Sequence, residues 1–233
     1  MKSSKNFTTL FVVLFFLGQV QAQSQFSAWA ASFNTIKLGE KTSFHFDGQF
    51  RSAAQVGDLQ TILLRPGINF QLGKNLLLSG GYGFISNLAS PAFDTKRVTE
   101  HRFWQQLIVS HKLGHIATGH RFRVEQRLIP KVDERAYASR FRYFVRNILP
   151  LEKSERFSKG LYMALQNEVF LNFGNTSVVN GKTFDQNRFY LATGHRLHPN
   201  LDLEIGYMNQ YVDRGNTAFT NSHILQVASY LRL

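Results

Sequence analysis

The sequence contains no cysteine and only 5 prolines in 233 residues. Without cysteine the chain has no disulfide framework, no thiolate metal site and no cysteine nucleophile. The low proline count also excludes a proline-rich disordered chain. Charged residues make up 18% of the chain, below the roughly 25% that is usual for soluble domains. Phenylalanine, glycine and tyrosine are abundant instead, with 22, 17 and 8 copies, and this composition favours strands over helices.

The N-terminal residues have the order of a secretory signal peptide. Lys2 and Lys5 precede an apolar run at 10–17, and Val20 and Ala22 occupy the small-residue positions of a cleavage site. A membrane anchor would need about 20 apolar residues, and this run is shorter. We therefore expect residues 1–22 to be a signal peptide and residues 23–233 to form one exported domain.

The rest of the chain alternates apolar and polar residues with a period of two. Between 42 and 52, for example, Phe44, Phe46 and Phe50 alternate with Asp47 and Arg51. This period puts an apolar row on one face of a strand and a polar row on the other. The pattern predicts eleven strand segments, at 26–37, 42–53, 59–72, 76–87, 99–113, 116–129, 136–149, 160–173, 184–197, 201–212 and 221–233.

Short and long connections between these segments favour a transmembrane barrel. Tight-turn sequences such as 73–75 and 197–200 alternate with longer polar stretches such as 88–98 and 174–183. Outer-membrane β-barrels have short turns at one rim and long loops at the other, and strands of about 10 residues. Aromatic residues assigned to the rims point the same way, namely Trp29, Trp104, Tyr143, Tyr207 and Tyr230.

The predicted fold is therefore an all-β, antiparallel transmembrane β-barrel of the outer-membrane type. Single-chain bacterial barrels have even strand numbers, so we expect twelve strands, with ten as the alternative. A soluble secreted β-sandwich that binds a ligand is the competing interpretation, because local alternation also fits two packed sheets.

Several short stretches resemble a known family. They are residues 100–106, the basic strand 120–127, residues 187–190 and residues 206–210. Together they resemble the secreted bacterial proteins grouped as domain-of-unknown-function family 2490, over nearly the whole mature chain. The resemblance implies a barrel in the cell outer membrane of a diderm bacterium and supplies no reaction or ligand.

If the apolar rows face lipid, the opposite rows face the lumen and are rich in arginine. Charge on the lipid face is expensive, at about 2–4 kcal/mol for an arginine at the midplane. The lumen-facing candidates are Arg65, Arg102, Arg121, Arg123, Glu125, Arg127, Arg140, Arg142, Arg146, Arg188, Glu100, Glu168 and Glu204, with Arg51 and Asp47 on the same rows.

Two interpretations of this lumen stay open. The glutamates can pair with the arginines and fill a narrow barrel with a salt-bridged plug. Alternatively, the arginines can line a narrow path for small anionic solutes, since rings of arginine select anions in pores.

Catalysis receives little support from the sequence. A Gly-x-Ser-x-Gly elbow is absent, and His101 and Ser110 fall on opposite faces of one strand. An outer-membrane lipid-modifying enzyme remains a minor alternative. His111, His115 and His120 lie near a turn without a second ligand cluster, so neither a metal nor another cofactor is expected.

The expected partners follow from location and charge. They are outer-membrane lipid, lipopolysaccharide phosphates that meet exposed lysines and arginines, and small anionic solutes. The formal net charge of +12 could suggest nucleic acid. A secreted chain whose arginines alternate with lipid-facing aromatics makes that partner unexpected.

Overall fold

A computed structural model describes residues 23–88, 97–131, 134–152, 157–216 and 219–233. The predicted signal peptide, residues 1–22, lies outside the described residues. The described chain forms eleven strands: β1 Gln23–Lys37, β2 Thr42–Ser52, β3 Leu59–Gly73, β4 Leu76–Leu88, β5 Arg97–Leu113, β6 Ile116–Pro130, β7 Arg135–Pro150, β8 Gly160–Phe173, β9 Phe184–His198, β10 Leu201–Asp213 and β11 Phe219–Arg232. Two single-turn 3₁₀ helices, Ala54–Val56 and Thr176–Val178, lie in connections.

The alternation of apolar and polar residues predicted these strands well. All eleven predicted segments coincide with strands, and each end lies within three residues of its predicted position. Long strands with one apolar and one polar face give the clearest local pattern that a sheet can have.

The strands close into one barrel in which neighbours along the chain are also neighbours in the sheet. The closing pair is β1 and β11, which run parallel from the Gln23–Thr220 pair to the Thr35–Arg232 pair. The described residues thus form a barrel of eleven strands, and not of the predicted twelve or the alternative ten. The barrel is also not fully antiparallel as predicted, because β1 and β11 pair in parallel. With an odd number of alternating strands, the first and last point the same way and can only pair in parallel.

The two ends of the barrel differ in their connections. At one end, here called the turn end, the connections 38–41, 74–75, 114–115 and 199–200 are short, and only 151–159 is longer. At the opposite end, here called the loop end, the connections are 53–58, 89–96, 131–134, 174–183 and 214–218. The predicted asymmetry between short turns and long loops is thus largely present, with 131–134 as a short exception.

The barrel is polar inside and apolar outside. Exposed large apolar side chains recur along the outer face of most strands, as at Phe122, which is 39% exposed, and Ile205, which is 48% exposed. Buried positions instead include many charged residues, such as Asp47, Glu125 and Arg142. Because one closed sheet encloses a charged interior, the predicted alternative of a β-sandwich with an apolar core is wrong. No helix in the described part of the chain is long and apolar enough to cross a membrane.

Candidate functional site: the arginine-rich barrel interior

The buried polar rows face the interior of the barrel, because their side chains bond across it. Arg146 on β7 reaches Glu204 on β10, with 2.5 Å between Nη2 and Oε2. Arg121 on β6 reaches Glu168 on β8, with 2.7 Å between Nη2 and Oε1. Neither pair of strands is adjacent in the sheet, so these bonds can only pass through the interior.

Two glutamates hold the middle of this interior together. Glu125 is fully buried and accepts hydrogen bonds from Arg140 at 2.7 Å and from Arg142 at 2.5 Å. Glu168 accepts bonds of 2.7 Å from Arg142 and from Arg121. Arg142 therefore bridges the two carboxylates. Bonds of this kind between two ions are stronger than neutral ones.

A third carboxylate lies towards the loop end. Strand register sets Arg102 directly opposite Arg127, which would bring two like charges together. Glu100 accepts from both, at 2.7 Å from Arg102 Nε and 2.6 Å from Arg127 Nε. One glutamate thus partly neutralises two arginines.

A fourth carboxylate lies towards the turn end and is surrounded by aromatic hydroxyls. Besides the bond from Arg146, Glu204 accepts from the hydroxyls of Tyr162 and Tyr230, each at 3.1 Å. Arg146 also donates to Gln166 at 2.7 Å. The predicted site residues are therefore distributed along the barrel axis around several carboxylates, and Arg102, at 4.0 Å from Glu125, links two of these groups.

The remaining interior arginines differ in their partners. Arg65 pairs with Asp47 at 2.9 Å. In contrast, three arginines donate mainly to neutral glutamine side chains. These bonds run from Arg51 to Gln49 at 2.6 Å, from Arg123 to Gln106 at 2.6 Å, and from Arg188 to Gln186 at 3.5 Å. Arg123 also has Glu125 at 3.8 Å, whereas Arg51 and Arg188 form no ion pair with any described residue.

Both tryptophans lie inside the barrel, which corrects their assignment to the rims. Trp104 is completely buried and Trp29 is 7% exposed. The ring of Trp104 lies over Gly67 and Gly81, which face each other on β3 and β4. A β-carbon built at Gly81 would lie 2.6 Å from Trp104 Cζ2, so the ring occupies space that only glycine leaves open.

Arginines cover these interior rings. The guanidinium carbon of Arg51 lies 3.9 Å from the ring centroid of Trp29, and that of Arg188 lies 5.1 Å from it. Arg123 lies 4.8 Å from the ring of Trp104. Such cation–π contacts stabilise a buried guanidinium without neutralising it.

Three cavities follow one another along the interior. A cavity of about 760 Å³ opens near the turn end and borders Lys74, Ser110 and Lys112. It shares Arg121 and Arg146 with a central cavity of about 210 Å³. That cavity in turn shares arginines 65, 142 and 188 with one of about 60 Å³ towards the loop end. The smallest of these three cavities therefore also has the most arginine side chains in its lining.

Sequence reasoning missed several members of this site. Asp185, at the start of β9, pairs with Arg140 at 2.8 Å, and three glutamines act as neutral acceptors. The interior position of Trp104 could have been predicted. With Arg102 and Gln106 it occupies every second position of β5, so all three side chains lie on the same face of the strand. No local signal identifies Asp185 as a partner of β7, because that contact depends on how β7 and β9 lie in the closed barrel.

Of the residues considered for catalysis or metal binding, only His111 and His120 are in contact among the described residues. His101 bonds to the hydroxyl of Tyr82, whereas Ser110 borders the turn-end cavity. The rings of His111 and His120 stack, with their Nε2 atoms 3.0 Å apart. Within the described residues no group of three or more histidines and carboxylates could hold a metal ion.

These features define the class: a closed β-barrel with an apolar outer face and an arginine-rich interior. The match to a family model, "Protein of unknown function (DUF2490)", covers residues 26–221. The chain therefore belongs to this family, as its sequence resemblance predicted.

Two known proteins are similar to the chain. The uncharacterized protein MexAM1_META1p0181 of Methylorubrum extorquens is 24% identical over 204 residues, which cover 85% of each chain. Among solved structures, one titled "NanC porin structure in rhombohedral crystal form" aligns with a TM-score of 0.51 and 12% identity, over 86% of this chain and 91% of that one. At this identity the likeness concerns the fold alone.

Proposed function

We propose that the protein is an outer-membrane β-barrel whose interior provides a narrow path for small anionic solutes. Export requires removal of residues 1–22, and the mature barrel then inserts with its apolar face in lipid. The exposed apolar residues of the outer face support this location, because transmembrane barrels carry such a band around the outside. The shared fold with a structure titled as a porin supports it as well.

The observation that carries the proposal is the imbalance of interior charge. Apart from Asp202 with its partners Arg196 and Arg232 at the turn end, ten arginines lie among six carboxylates in the described interior. The arginines are Arg51, Arg65, Arg102, Arg121, Arg123, Arg127, Arg140, Arg142, Arg146 and Arg188, and the acids are Asp47, Glu100, Glu125, Glu168, Asp185 and Glu204. Arginines that line a pore raise the local concentration of anions and repel cations.

The succession of cavities supports a path along the axis. Solute entering the turn-end cavity of about 760 Å³ meets Arg121 and Arg146 at its inner limit, where the central cavity begins. Because the next cavity holds only about 60 Å³, transport of anything larger than a small ion requires the arginine side chains to shift. We therefore expect low conductance.

A sealed barrel is the alternative, and the burial of Glu125 between Arg140 and Arg142 favours it. In that case the ion pairs form a plug and the connections at the loop end carry the function. We also propose that exposed lysines such as Lys131 at the loop end contact lipopolysaccharide phosphates.

Reversal potential in a planar bilayer tests the path. Under a potassium chloride gradient, we expect the purified protein to give small channels with an anion-selective potential. Arg51→Gln combined with Arg188→Gln should reduce that selectivity, because both arginines lack a carboxylate partner among the described residues. Lys131→Gln, an exposed change at the loop end, should alter it much less. Cation selectivity would contradict the charge argument, and absence of channels would favour the plug.

A further inference from the structure

The cavity of about 60 Å³ towards the loop end has an almost wholly cationic polar lining. Six guanidinium groups border it, those of Arg51, Arg65, Arg102, Arg140, Arg142 and Arg188, and no carboxylate of the described chain lines it. Since about 10–15 Å³ of such cavity volume is enough for one water molecule, this space matches a small group of a few heavy atoms.

Four of the six arginines already have a carboxylate partner outside the cavity. Arg65 pairs with Asp47, Arg102 with Glu100, Arg140 with Glu125, and Arg142 with both Glu125 and Glu168. These ion pairs hold the four guanidinium groups in fixed positions around the space. They also leave some N–H donors of each guanidinium for another acceptor, since arginine has five.

The other two arginines have no such partner. Arg51 donates through Nε and Nη2 to one oxygen of Gln49, at 3.2 and 2.6 Å. Among the described residues, Arg188 has one long bond of 3.5 Å to Gln186, and its buried Nε has no hydrogen-bond partner there. A buried donor without an acceptor costs free energy, which a ligand can recover by accepting from it.

Aromatic rings keep these two charges at the cavity. Trp29 lies against both Arg51 and Arg188, and Phe170 lies 4.8 Å from the guanidinium of Arg188. Flat rings orient a guanidinium edge-on towards the open space and supply no acceptor of their own. The arrangement is that of an anion site, with four arginines anchored by ion pairs and two that have no carboxylate within ion-pair distance among the described residues. The nearest counter-charge to Arg188 is Glu168, its register neighbour on β8, which is already bonded to Arg121 and Arg142.

We propose that this cavity binds the oxyanion group of a small solute, a carboxylate or a phosphate, with Arg51 and Arg188 as its principal donors. The inference deepens the proposed anion path and rests on it for the route by which the solute arrives. Planar, forked guanidinium groups suit the paired oxygens of such a group better than a halide ion.

Titration calorimetry on the purified, folded protein in detergent tests the site, with sodium phosphate and sodium acetate as the probes. We expect saturable binding of at least one of them, with one site per chain. Arg188→Gln and Arg51→Gln should each weaken binding by about tenfold, the factor that corresponds to one lost charged hydrogen bond. Neither change leaves a carboxylate of the described chain without its partner, so the barrel should fold.

Arg127→Gln is the matched control, because it also removes one interior charge. Arg127 does not border the cavity, and its partner Glu100 keeps Arg102. We expect this variant to retain affinity within about threefold, the small effect of a more distant charge. Arg188→Lys keeps the positive charge but loses the paired N–H donors of the guanidinium group. This variant should therefore bind the anion with an affinity between those of the wild type and Arg188→Gln.

Three results would separate this inference from the proposed path. Absence of saturable binding for both probes, or equal weakening by Arg127→Gln and Arg188→Gln, would overturn the site. If the protein forms anion-selective channels but shows no saturable binding, the proposed site is wrong and the proposed path is supported. If binding is saturable and depends on Arg188 but the protein forms no channels, the site is supported and the path is wrong.

Discussion

The indole ring of Trp104 lies over Gly81, in the space that a β-carbon at this glycine would need. A β-carbon built there would come within 2.6 Å of Trp104 Cζ2 and would also meet the backbone of β3. Because Gly67 faces Gly81 on the next strand, the ring rests on a floor of two glycines. Gly67 and Gly81 therefore leave the space that the indole ring of Trp104 occupies, and a side chain at either position would collide with the ring.

We expect Gly81→Ala to destabilise the barrel by about 1–3 kcal/mol, the usual cost of overpacking a fixed site. Gly119→Ala on β6 is the matched control, because a β-carbon there meets nothing within 4 Å. The measurement is the midpoint of urea unfolding in lipid vesicles, with tryptophan fluorescence as the probe. Equal midpoints for the two variants would contradict the packing argument.

The second prediction concerns the outer face. Phe141 lies on the row of β7 that opposes the interior arginines, near the middle of the strand. Phe141→Arg should lower the stability of the inserted barrel by about 2–4 kcal/mol, the cost of an arginine at the bilayer midplane. Phe141→Leu, which keeps the site apolar, should have a much smaller effect.

Gln166→Arg provides the corresponding change on an interior row. Gln166 borders the central cavity of about 210 Å³, where Glu168 is also present, so an added guanidinium there has space and a counter-charge. The change removes the acceptor of the Arg146 bond, while Arg146 keeps Glu204, so we expect a smaller loss than at Phe141. Folding yield in vesicles, read from the mobility of heated and unheated samples, compares the variants. Equal yields for Phe141→Arg and Gln166→Arg would contradict lipid contact at Phe141.

The fold could be predicted from the sequence to the extent that it depends on local pattern. Each strand has one apolar and one polar face, so strand positions follow from a period of two. Closure does not follow from it, because the parallel pairing of β1 with β11 joins residues such as Ala30 and Val227 that are far apart in the chain. The expectation of an even strand number came from other barrels and has no local physical basis.

The sequence predicts which residues face the interior of the barrel, and it does not predict which of them pair with one another. Charge on the lipid face is costly, and this rule assigns Arg123 and Arg142 to the same side of the wall. It does not assign their partners: Arg123 donates to Gln106, whereas Arg142 bridges Glu125 and Glu168. Those choices depend on side-chain reach across the barrel, which a single strand cannot reveal. Tryptophan was misplaced because amphipathic rings suit a membrane rim and a cation-lined interior equally well.

The third prediction concerns export. We expect cleavage after Ala22, so N-terminal sequencing of the mature protein should begin at Gln23, and the protein should fractionate with outer membranes. Ala22→Leu should block cleavage, because the site requires a small residue there. Ser24→Leu, two residues beyond the site, should be processed normally. A chain that still begins at Met1, or a soluble periplasmic product, would contradict the prediction.

The last prediction concerns Glu125, which is fully buried and accepts from Arg140 and Arg142. Glu125→Gln replaces a buried carboxylate by a neutral acceptor, but Arg140 keeps Asp185 and Arg142 keeps Glu168. Because each arginine retains one carboxylate partner, we expect a loss of about 1–3 kcal/mol in urea unfolding, the cost of weakened hydrogen bonds to charged groups. Glu134→Gln, at an exposed position in the connection between β6 and β7, should change stability by less than about 0.5 kcal/mol.

A double variant separates lost pairing from other effects of the substitution. Adding Arg142→Gln to Glu125→Gln removes one of the two arginines that Glu125 pairs with, while Glu168 keeps Arg121. The double variant should therefore lose less stability than the sum of the two single variants, as expected for groups in direct contact. If Glu125→Gln costs no more than Glu134→Gln, the ion pairs of Glu125 contribute no measurable stability. That result would contradict the sealed plug, because the plug depends on those ion pairs to hold the arginines together.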